Sequence, residues 1–247
     1  MFKFNKISII ASSLAFLFSM NAFAQNQKVD LATEKVIVQS LSKAIPNLPV
    51  INEILQTPLK GIFEVRHSGN ELFYVNEDAS YLIQGNLIDT KNQKNITQDK
   101  LAKLNSVDFK TLPVKDAIKF VKGNGKRKIA VFEDPNCGYC KQFEKEIQKL
   151  ENVTAYVYLY PVLGADSFMK SNNIWCSKNR EKTWSDWMLN STPIPETKCN
   201  DAPLERNLKI GKQNKITGTP TIIFEDGTKI PGLMNATQIE DKFKSIK

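Results

Sequence analysis

Residues 129–140 read IAVFEDPNCGYC, an apolar run followed within a few residues by the pair Cys137 and Cys140. The run predicts a short buried strand. Apolar side chains then recur at the spacing of a helix, at Cys140, Phe143, Ile147 and Leu150. The stretch therefore predicts a strand, a CxxC motif and a helix in direct succession, and the rest of the chain decides what the two cysteines do.

The amino terminus has the pattern of a secretory signal peptide. Lys3 and Lys6 precede an apolar run over residues 7–20, and the small residues Ala22 and Ala24 follow it. The run is too short to span a bilayer comfortably, so an uncleaved membrane anchor is the less favoured alternative. Cleavage after Ala24 and export of a soluble mature chain are therefore predicted.

Export changes what the cysteines can do. All four lie after residue 136, and an oxidising compartment favours disulfides over zinc. A zinc site at Cys137 and Cys140 would need further ligands, and only Cys176, Cys199 and His67 remain, at a spacing unlike that of zinc sites. Cys176 and Cys199 instead predict a structural disulfide worth about 3 kcal/mol, with a second redox pair as the alternative. No metal and no cofactor are predicted.

The charge pattern argues against binding to nucleic acid. The formal net charge is +8, from 34 Lys and Arg residues against 26 Asp and Glu residues. Basic residues are interleaved with acids, as between Lys141 and Glu151, and no long basic block appears. A nucleic-acid surface would need a clustered basic face with interleaved aromatic side chains. The composition therefore predicts a mixed-charge surface and no nucleic-acid partner.

Residues 25–96 predict a small α+β domain that contains no cysteine. A helix is expected over residues 30–45, where apolar side chains share one face. Three short apolar runs separated by turn residues predict an antiparallel meander, over residues 62–66, 72–75 and 81–83. Because such a small sheet leaves edge strands open, we expect a second copy of the chain to pair there and form a homodimer.

Residues 97–126 predict a helical linker. Thr97 is the expected N-cap of its first helix. Pro113 separates this helix from a second apolar stripe at helical spacing, which ends at Val121. The alternative is that residues 113–122 belong to the core of the domain that follows.

Residues 127–247 predict an α/β domain. The strand and helix around the CxxC motif are followed by a strand over residues 153–160 and a mostly helical stretch over residues 166–215. A hairpin over residues 221–230 and a final helix opened by Asn235 complete the domain. Strand, CxxC, helix, strand, helical insertion, hairpin and helix is a thioredoxin-like order.

Cys137 is placed where the predicted strand gives way to the helix. Free backbone N–H groups and the helix dipole favour an anion at this point, so they stabilise a Cys137 thiolate. The thiolate is the form that attacks disulfides. Cys140 lies one turn further on, on the apolar stripe, and is expected to be buried and slower. Cys137 is therefore the predicted nucleophile and Cys140 the thiol that resolves a mixed disulfide.

A third candidate element, Gly218-Thr219-Pro220-Thr221, precedes the predicted hairpin. An X-Pro bond can be cis at modest cost. In the predicted fold this loop lies beside Cys137, where the backbone of Thr219 would pair with an extended substrate segment. An ordinary trans turn is the alternative.

Several motifs in this order resemble the DsbC/DsbG family of bacterial periplasmic disulfide isomerases: Tyr81–Gly85, Cys137-Gly138-Tyr139-Cys140, Ile174-Trp175-Cys176, Gly218-Thr219-Pro220 and Pro231-Gly232. The resemblance covers essentially the mature chain. It implies a V-shaped periplasmic homodimer joined through the N-terminal domains, with two thioredoxin domains facing a shared uncharged cleft. It also implies isomerisation of wrongly paired disulfides in exported proteins, chaperone-like binding, and reduction by a membrane thiol reductase of the DsbD type.

The same resemblance assigns roles to individual residues. It implies that Cys137 is the nucleophile and Cys140 the resolving thiol. It implies a structural disulfide between Cys176 and Cys199. The residues that it places against substrate are Gly138, Tyr139, Thr219 and Pro220, the last two as a cis-proline loop.

Thioredoxins carry a buried acid six residues before the first cysteine, and this acid assists proton transfer; the corresponding residue here is Val131. Glu133 and Asp134 are nearer to Cys137 but are expected to face elsewhere, so no residue is assigned to proton transfer. Three other functions remain open for the chain. They are a dithiol oxidase, a reductase for one partner of the DsbG or cytochrome-maturation type, and a non-enzymatic chaperone dimer.

Overall fold

The computed structural model describes residues 27–246, and the chain divides into two compact units between Gly85 and Asn86. The predicted signal peptide, with its cleavage after Ala24, lies outside the described residues. The domain limits drawn from the sequence stay a prediction. Within residues 27–246, no helix is both long enough and apolar enough to cross a membrane.

The N-terminal unit packs one helix on a four-stranded antiparallel sheet. Its elements are α1 (Leu31–Ala44), β1 (Ile51–Gln56), β2 (Ile62–His67), β3 (Glu71–Asn76) and β4 (Leu82–Ile83), and the strands lie side by side in that order. Ile37 and Leu41 of α1 are buried against the sheet, where they belong to one cluster with Ile54, Val65 and Val75. The predicted helix and the meander of three strands are confirmed.

Strand β1 was not expected from the sequence. Ile54 and Leu55 are adjacent and both buried, so the strand lacks the alternation by which a half-buried strand is recognised. Its register with β2 also shifts between Ile51 and Glu53. Helix α1 packs on this part of the sheet and buries Ile54. Because this burial depends on a contact with another element, the local sequence of β1 does not reveal it.

The far edge of this sheet is apolar and open in the described chain. Strand β4 pairs with β3 on one side and is the last strand of the sheet. Leu82 and Ile83 are both exposed, and the preceding Tyr81 has 74% of its surface exposed. An exposed apolar edge strand is a template for pairing with another strand.

The C-terminal unit is built on a five-stranded sheet. The five strands of this sheet are β7 (Ile118–Lys122), β8 (Arg127–Glu133), β9 (Val153–Leu159), β10 (Thr221–Phe224) and β11 (Lys229–Pro231). The unit also contains a separate pair of short strands, β5 (Ile88–Asp89) and β6 (Lys94–Asn95). Its helices are α2 (Ile96–Leu104), α3 (Gly138–Ile147), α4 (Ala165–Cys176), α5 (Arg180–Asn190), α6 (Leu204–Gln213) and α7 (Ala236–Ser245). The sheet order is β11-β10-β8-β9-β7, with β8 and β9 parallel and the other neighbours antiparallel, and β5 pairs with β6 separately.

The central strand β8 is buried on both faces of the sheet. Ile129 and Val131 belong to the cluster that contains Phe143 of α3, whereas Phe132 belongs to the other cluster and stacks on Tyr158 of β9 at 4.9 Å between ring centroids. Because both faces are covered, the strand is a continuous apolar run. That run carries the chain directly to the CxxC motif.

Residues 113–122 do not form the second helix of a linker, which corrects the sequence prediction. Val114–Asp116 is a short 3-10 turn, and Ile118–Lys122 is strand β7, paired with β9 at the edge of the sheet. Ile118 is buried and Phe120 packs on two core clusters, so the inward side chains recur every second residue. The alternative considered above, that this segment belongs to the core of the second domain, is the correct one.

The start of helix α2 also differs from the expectation. Asn95, not Thr97, is the N-cap, and its side chain accepts a hydrogen bond from Gln98 N at 3.0 Å. Thr97 lies inside the first turn, where its hydroxyl accepts a hydrogen bond from Leu87 N at 2.7 Å. Thr97 is buried there, and its hydroxyl binds the backbone of the segment before the helix. Asn95 caps the helix in its place.

Candidate active site

The CxxC motif lies at the junction between the end of β8 and the start of α3. Cys137 is the N-cap of α3, and its Sγ accepts a hydrogen bond from the backbone N–H of Cys140 at 3.2 Å. Both cysteines are buried and both are free thiols. The backbone N–H of Cys137 donates to the carbonyl of Asp134 at 3.0 Å, which closes the turn that aims Cys137 at the helix start. The structure therefore places Cys137 at the start of the helix and Cys140 buried in its first turn, as predicted.

The two thiols differ strongly in acidity. A hydrogen bond from the Cys140 thiol lowers the pKa of Cys137 to about 6; backbone N–H groups of Cys140 and Tyr139 act in the same direction, and burial opposes them. Burial, above all, raises the pKa of Cys140, and the hydrogen bond to Cys137 and the charge of Glu133 add to the rise. At neutral pH the pair therefore holds one thiolate, on Cys137, and one thiol, on Cys140.

Alkylation tests this difference. In the reduced protein, iodoacetamide is expected to modify Cys137 at a rate that is half-maximal near pH 6 and constant in the alkaline range, while Cys140 stays unmodified. Only the thiolate reacts, and the lowered pKa keeps Cys137 ionised at neutral pH. Timed alkylation followed by fragment mass spectrometry assigns the label. Cys140→Ala removes the hydrogen bond to Cys137 and should raise the midpoint; a wild-type midpoint near that of a free cysteine, about 8.5, would contradict the prediction.

The segment before the hairpin lies directly against Cys137. The Thr219–Pro220 peptide bond is cis, and a protonated Cys137 Sγ donates to the carbonyl oxygen of Thr219 at 3.3 Å. Gly218 accepts a hydrogen bond from the Thr221 hydroxyl at 2.7 Å, which fixes the turn. The structure therefore brings the CxxC motif and the cis-proline loop together, although Cys137 and Thr219 are 82 residues apart in the sequence.

Gly138 and Tyr139 form the solvent side of the motif. Both are exposed, Tyr139 with 63% of its surface accessible. A Cβ atom built on Gly138 meets no other atom within 4 Å. The first turn of α3 therefore presents backbone and one aromatic ring to solvent beside Cys137, and contact of these residues with a substrate stays a prediction.

Asp134 is a site residue that the sequence interpretation missed. Its side chain is fully buried and accepts four hydrogen bonds. Oδ1 accepts from Asn136 N at 2.8 Å and from the Ser167 hydroxyl at 2.7 Å, and Oδ2 accepts from the backbone N–H groups of Val162 and Leu163 at 2.9 and 3.0 Å. Asp134 thereby fastens the turn before Cys137 to the loop after β9.

Trp187 holds the same turn from the other side. Its Nε1 donates to the carbonyl of Pro135 at 2.6 Å. The ammonium groups of Lys141 and Lys170 lie 4.2 and 4.5 Å from its ring centroid, and Lys170 also donates to Asn136 Oδ1 at 2.8 Å. Burial and the charge of Lys170 lower the pKa of Lys141. Trp187 is thus only partly a core residue and mainly a support for the active-site turn.

Glu133 faces the cysteines, contrary to the expectation. It is the last residue of β8 and is fully buried. Its charge raises the pKa of Cys140, and its own pKa is raised well above the usual range by burial and by the charge of Glu144. The only signal in the sequence was that this acid directly continues the apolar run over residues 129–132, all of which are buried.

Cys176 and Cys199 form a disulfide, with their Cα atoms 5.4 Å apart. The bond ties the end of α4 to the irregular segment between α5 and α6. Among the described residues no group of three or more His, Cys, Asp and Glu side chains is arranged to hold a metal ion.

Known proteins match this chain in both units. A family model described as a thioredoxin-like domain matches residues 114–247, and a model described as the disulfide bond isomerase protein N-terminal domain matches residues 21–98. The solved disulfide interchange protein from Neisseria gonorrhoeae is 36% identical, superposes with a TM-score of 0.52, and is matched over 54% of this chain and 97% of its own.

Curated relatives agree with these matches. The probable thiol:disulfide interchange protein DsbC of Bordetella parapertussis is 40% identical over 190 residues, which are 77% of this chain and 67% of the relative. The thiol:disulfide interchange protein DsbC of Escherichia coli K12 is 27% identical over 197 residues, 77% of this chain and 80% of the relative. The family resemblance seen in the sequence is confirmed, as is the order of an N-terminal α+β domain and a thioredoxin-like domain. The chain therefore belongs to the DsbC family of thiol:disulfide interchange proteins.

Proposed function

We propose that this protein is a periplasmic disulfide isomerase in which Cys137 attacks non-native disulfides of exported proteins. The observation that carries the proposal is the asymmetry of the cysteine pair. Cys137 is held as a thiolate at the start of α3, with a pKa of about 6, and Cys140 behind it stays a thiol. A pair arranged in this way attacks with one sulfur and keeps the other in reserve.

The reaction follows from these two states. The Cys137 thiolate attacks one sulfur of a substrate disulfide, forms a mixed disulfide and releases a substrate thiolate. That thiolate can attack another disulfide of the same substrate, and a later substrate thiolate then frees Cys137 with no net transfer of electrons. Alternatively, Cys140 attacks the Cys137 sulfur and releases a reduced substrate, which leaves the pair oxidised by two electrons. A membrane thiol reductase of the DsbD type would return the pair to the dithiol.

The surface around Cys137 suits an unfolded segment. Tyr139, Val162, Leu163 and Leu233 are exposed apolar side chains. The backbone N–H of Gly232 donates to the carbonyl of Pro220 at 2.8 Å, so the loop that carries Leu233 lies next to the cis proline. We propose that Gly138, Tyr139, Thr219 and Pro220 contact the substrate here and that the apolar rim supports chaperone-like binding.

The N-terminal unit supports a homodimer. Its open edge strand, β4, exposes Tyr81, Leu82 and Ile83, and we propose that a second copy pairs along this edge. Residues 1–24 would serve as the signal peptide, so the mature protein would begin at Gln25 in the periplasm. A monomeric mass by light scattering at micromolar concentration would contradict the dimer.

Reactivation of scrambled ribonuclease tests the function. In a glutathione buffer the reduced wild-type protein is expected to restore activity to scrambled ribonuclease faster than it restores reduced ribonuclease under oxidising conditions. A dithiol oxidase would show the opposite preference. A reductase for a single partner would act on neither substrate well, and a chaperone without exchange activity would suppress aggregation while leaving the scrambled bonds unchanged. Each of these three results would contradict the proposal.

A further inference from the structure

Two carboxyl groups lie behind Cys140 and have no part in the exchange steps above. Glu133 ends β8 and is fully buried, and Glu144 on α3 has 3% of its surface exposed. Glu144 follows Cys140 by four residues, so both side chains project from the same face of the helix. Glu133 lies near enough to Cys140 for its charge to raise the pKa of the Cys140 thiol. The resolving thiol and the carboxyl pair thus occupy one buried region.

The hydrogen bonds of the pair are incomplete without a proton. Glu144 Oε1 accepts a hydrogen bond from the indole N–H of Trp184 at 2.8 Å. Neither carboxylate oxygen of Glu133 has an N–H or O–H donor among residues 27–246. The carboxyl group of Glu133 instead lies against the carboxyl group of Glu144. When Glu133 is protonated, it can donate a hydrogen bond to Glu144.

Two adjacent buried carboxylates cannot both be ionised at neutral pH. Burial raises the pKa of Glu133 first, the charge of Glu144 raises it further, and so Glu133 carries the proton. Burial also raises the pKa of Glu144, but hydrogen bonds from Glu133 and Trp184 stabilise its ionised form. The pair therefore holds a single proton and can accept a second.

A cavity connects Glu144 with the surface of the protein. It has a volume of about 160 Å³, and Glu144 lines it together with the polar residues Lys122, Gln148, Glu181 and Ser185. Gln148 and Glu181 are exposed, whereas Glu144 is buried. The other lining residues are apolar, but a cavity of this size with several polar groups in its wall has room for ordered water. Neither Cys137 nor Cys140 lines it, so a proton that reaches Glu144 can leave without crossing the face that binds substrate.

We propose that Glu133 and Glu144 accept the proton of the Cys140 thiol when Cys140 resolves a mixed disulfide, and that they release it to solvent through this cavity. The proposal rests on the roles proposed above for Cys137 and Cys140. It adds a proton acceptor that the exchange needs, because a buried thiol attacks only after it has lost its proton.

The carboxyl pair takes up one proton for each disulfide that Cys140 resolves. The Cys140 thiol gives its proton to Glu133, whose own proton moves to Glu144, so the pair changes from one proton to two. The Cys140 thiolate attacks the sulfur of Cys137, and the Cys137–Cys140 bond forms as the bond from Cys137 to the substrate sulfur breaks. The substrate sulfur leaves as a thiolate with the electron pair. The second proton then leaves Glu144 for water in the cavity.

The titratable groups around the pair come from three directions. Cys137 and Cys140 face it from the start of α3. Lys122 from β7 and Glu181 from α5 line the cavity on the other side. Lys122 donates to the carbonyl of Gln148 at 2.5 Å, at the cavity wall. Within the described part of the chain, the other acid beside Cys140 is Asp134, whose backbone N–H donates to the Cys140 sulfur and whose carboxylate already accepts four hydrogen bonds. Without the carboxyl pair, Cys140 must therefore lose its proton to hydroxide or solvent.

Oxidised glutathione separates the two chemical steps. Reduced protein is mixed with oxidised glutathione and quenched in acid, and mass spectrometry follows the reduced, glutathionylated and internally oxidised forms. Attack by Cys137 is the first step, and release of glutathione by Cys140 is the second. In Glu133→Gln and in Glu144→Gln we expect the second step at neutral pH to slow by about a hundredfold, the lower end of the range for general-base effects. The first step should change by less than about twofold, since Cys137 ionises without the pair.

The pH profile separates a proton acceptor from a merely structural residue. In both variants the second step should rise in proportion to hydroxide, whereas in the wild type it should depend less steeply on pH. Glu151→Gln removes one carboxylate from an exposed position and is the matched control, with both steps at wild-type rate. Equal slowing of both steps, or an unchanged second step in both variants, would overturn the proposal. Absence of the first step in the wild type would instead contradict the function proposed for Cys137.

The pH profile of the wild type alone keeps the test valid if a variant fails to fold. With the carboxyl pair as proton acceptor, the second step of the wild-type protein is expected to rise with pH less steeply than in proportion to hydroxide near neutral pH. A wild-type second step that is strictly proportional to hydroxide through the neutral range would show that Cys140 loses its proton to hydroxide, and the proposal would be wrong.

Discussion

Replacing Cys137 by Ala is expected to lower the reactivation of scrambled ribonuclease to the rate measured without the protein. Cys137 is the only thiol of the described chain whose pKa is lowered, to about 6. Cys140 is fully buried, and its raised pKa keeps it protonated. Since only a thiolate attacks a disulfide, Cys140 cannot replace Cys137 as the nucleophile. The loss should therefore be complete at every pH at which the protein is folded.

Cys140→Ala is the matched variant on the same helix. Its Cys137 still attacks, so mixed disulfides with the substrate should accumulate and be visible on non-reducing gels. Reactivation should fall only in part, because a substrate thiolate can still free Cys137. Thermal unfolding of both variants checks that each is folded. Wild-type reactivation by Cys137→Ala would refute the enzymatic function, and retention of aggregation suppression alone would show that binding is separate from exchange.

The strand, motif and helix around the cysteines were predictable because each is specified locally. Strand β8 is buried on both faces and is therefore a continuous apolar run. Helix α3 places Cys140, Phe143 and Ile147 on one buried face. The N-cap role of Cys137 follows from the junction between the two elements. None of these features depends on which distant residues pack against them.

The parts that could not be predicted depend on distant partners. Strand β7 carries Ile118 and Val121 three residues apart, a spacing that a helix shares, and only its pairing with β9 makes it a strand. Glu133 is charged, and a charge at the end of a strand is usually exposed. It is buried here beside Glu144 of the following helix, whose carboxyl is in turn held by the indole N–H of Trp184.

Asp134→Ala is expected to destabilise the C-terminal unit by about 3–5 kcal/mol, which is at the upper end for a single substitution. The side chain of Asp134 is fully buried and accepts four hydrogen bonds. Three of the donors are backbone N–H groups, those of Asn136, Val162 and Leu163. After the substitution these donors lose their acceptor and no side chain of similar length replaces it. An unsatisfied buried donor costs more than the hydrogen bond itself contributes.

Urea unfolding followed by tryptophan fluorescence measures this effect in the right unit, because all three tryptophans of the chain, Trp175, Trp184 and Trp187, lie in the C-terminal unit. With a slope of about 2 kcal/mol per molar urea, the midpoint should fall by about 2 M. Asp186→Ala is the control, since Asp186 forms a surface ion pair with Lys182 and such pairs contribute about 1 kcal/mol or less. Similar midpoints for the two variants would mean that the loop after β9 holds its position without Asp134, and that the active-site turn is fixed mainly by Trp187.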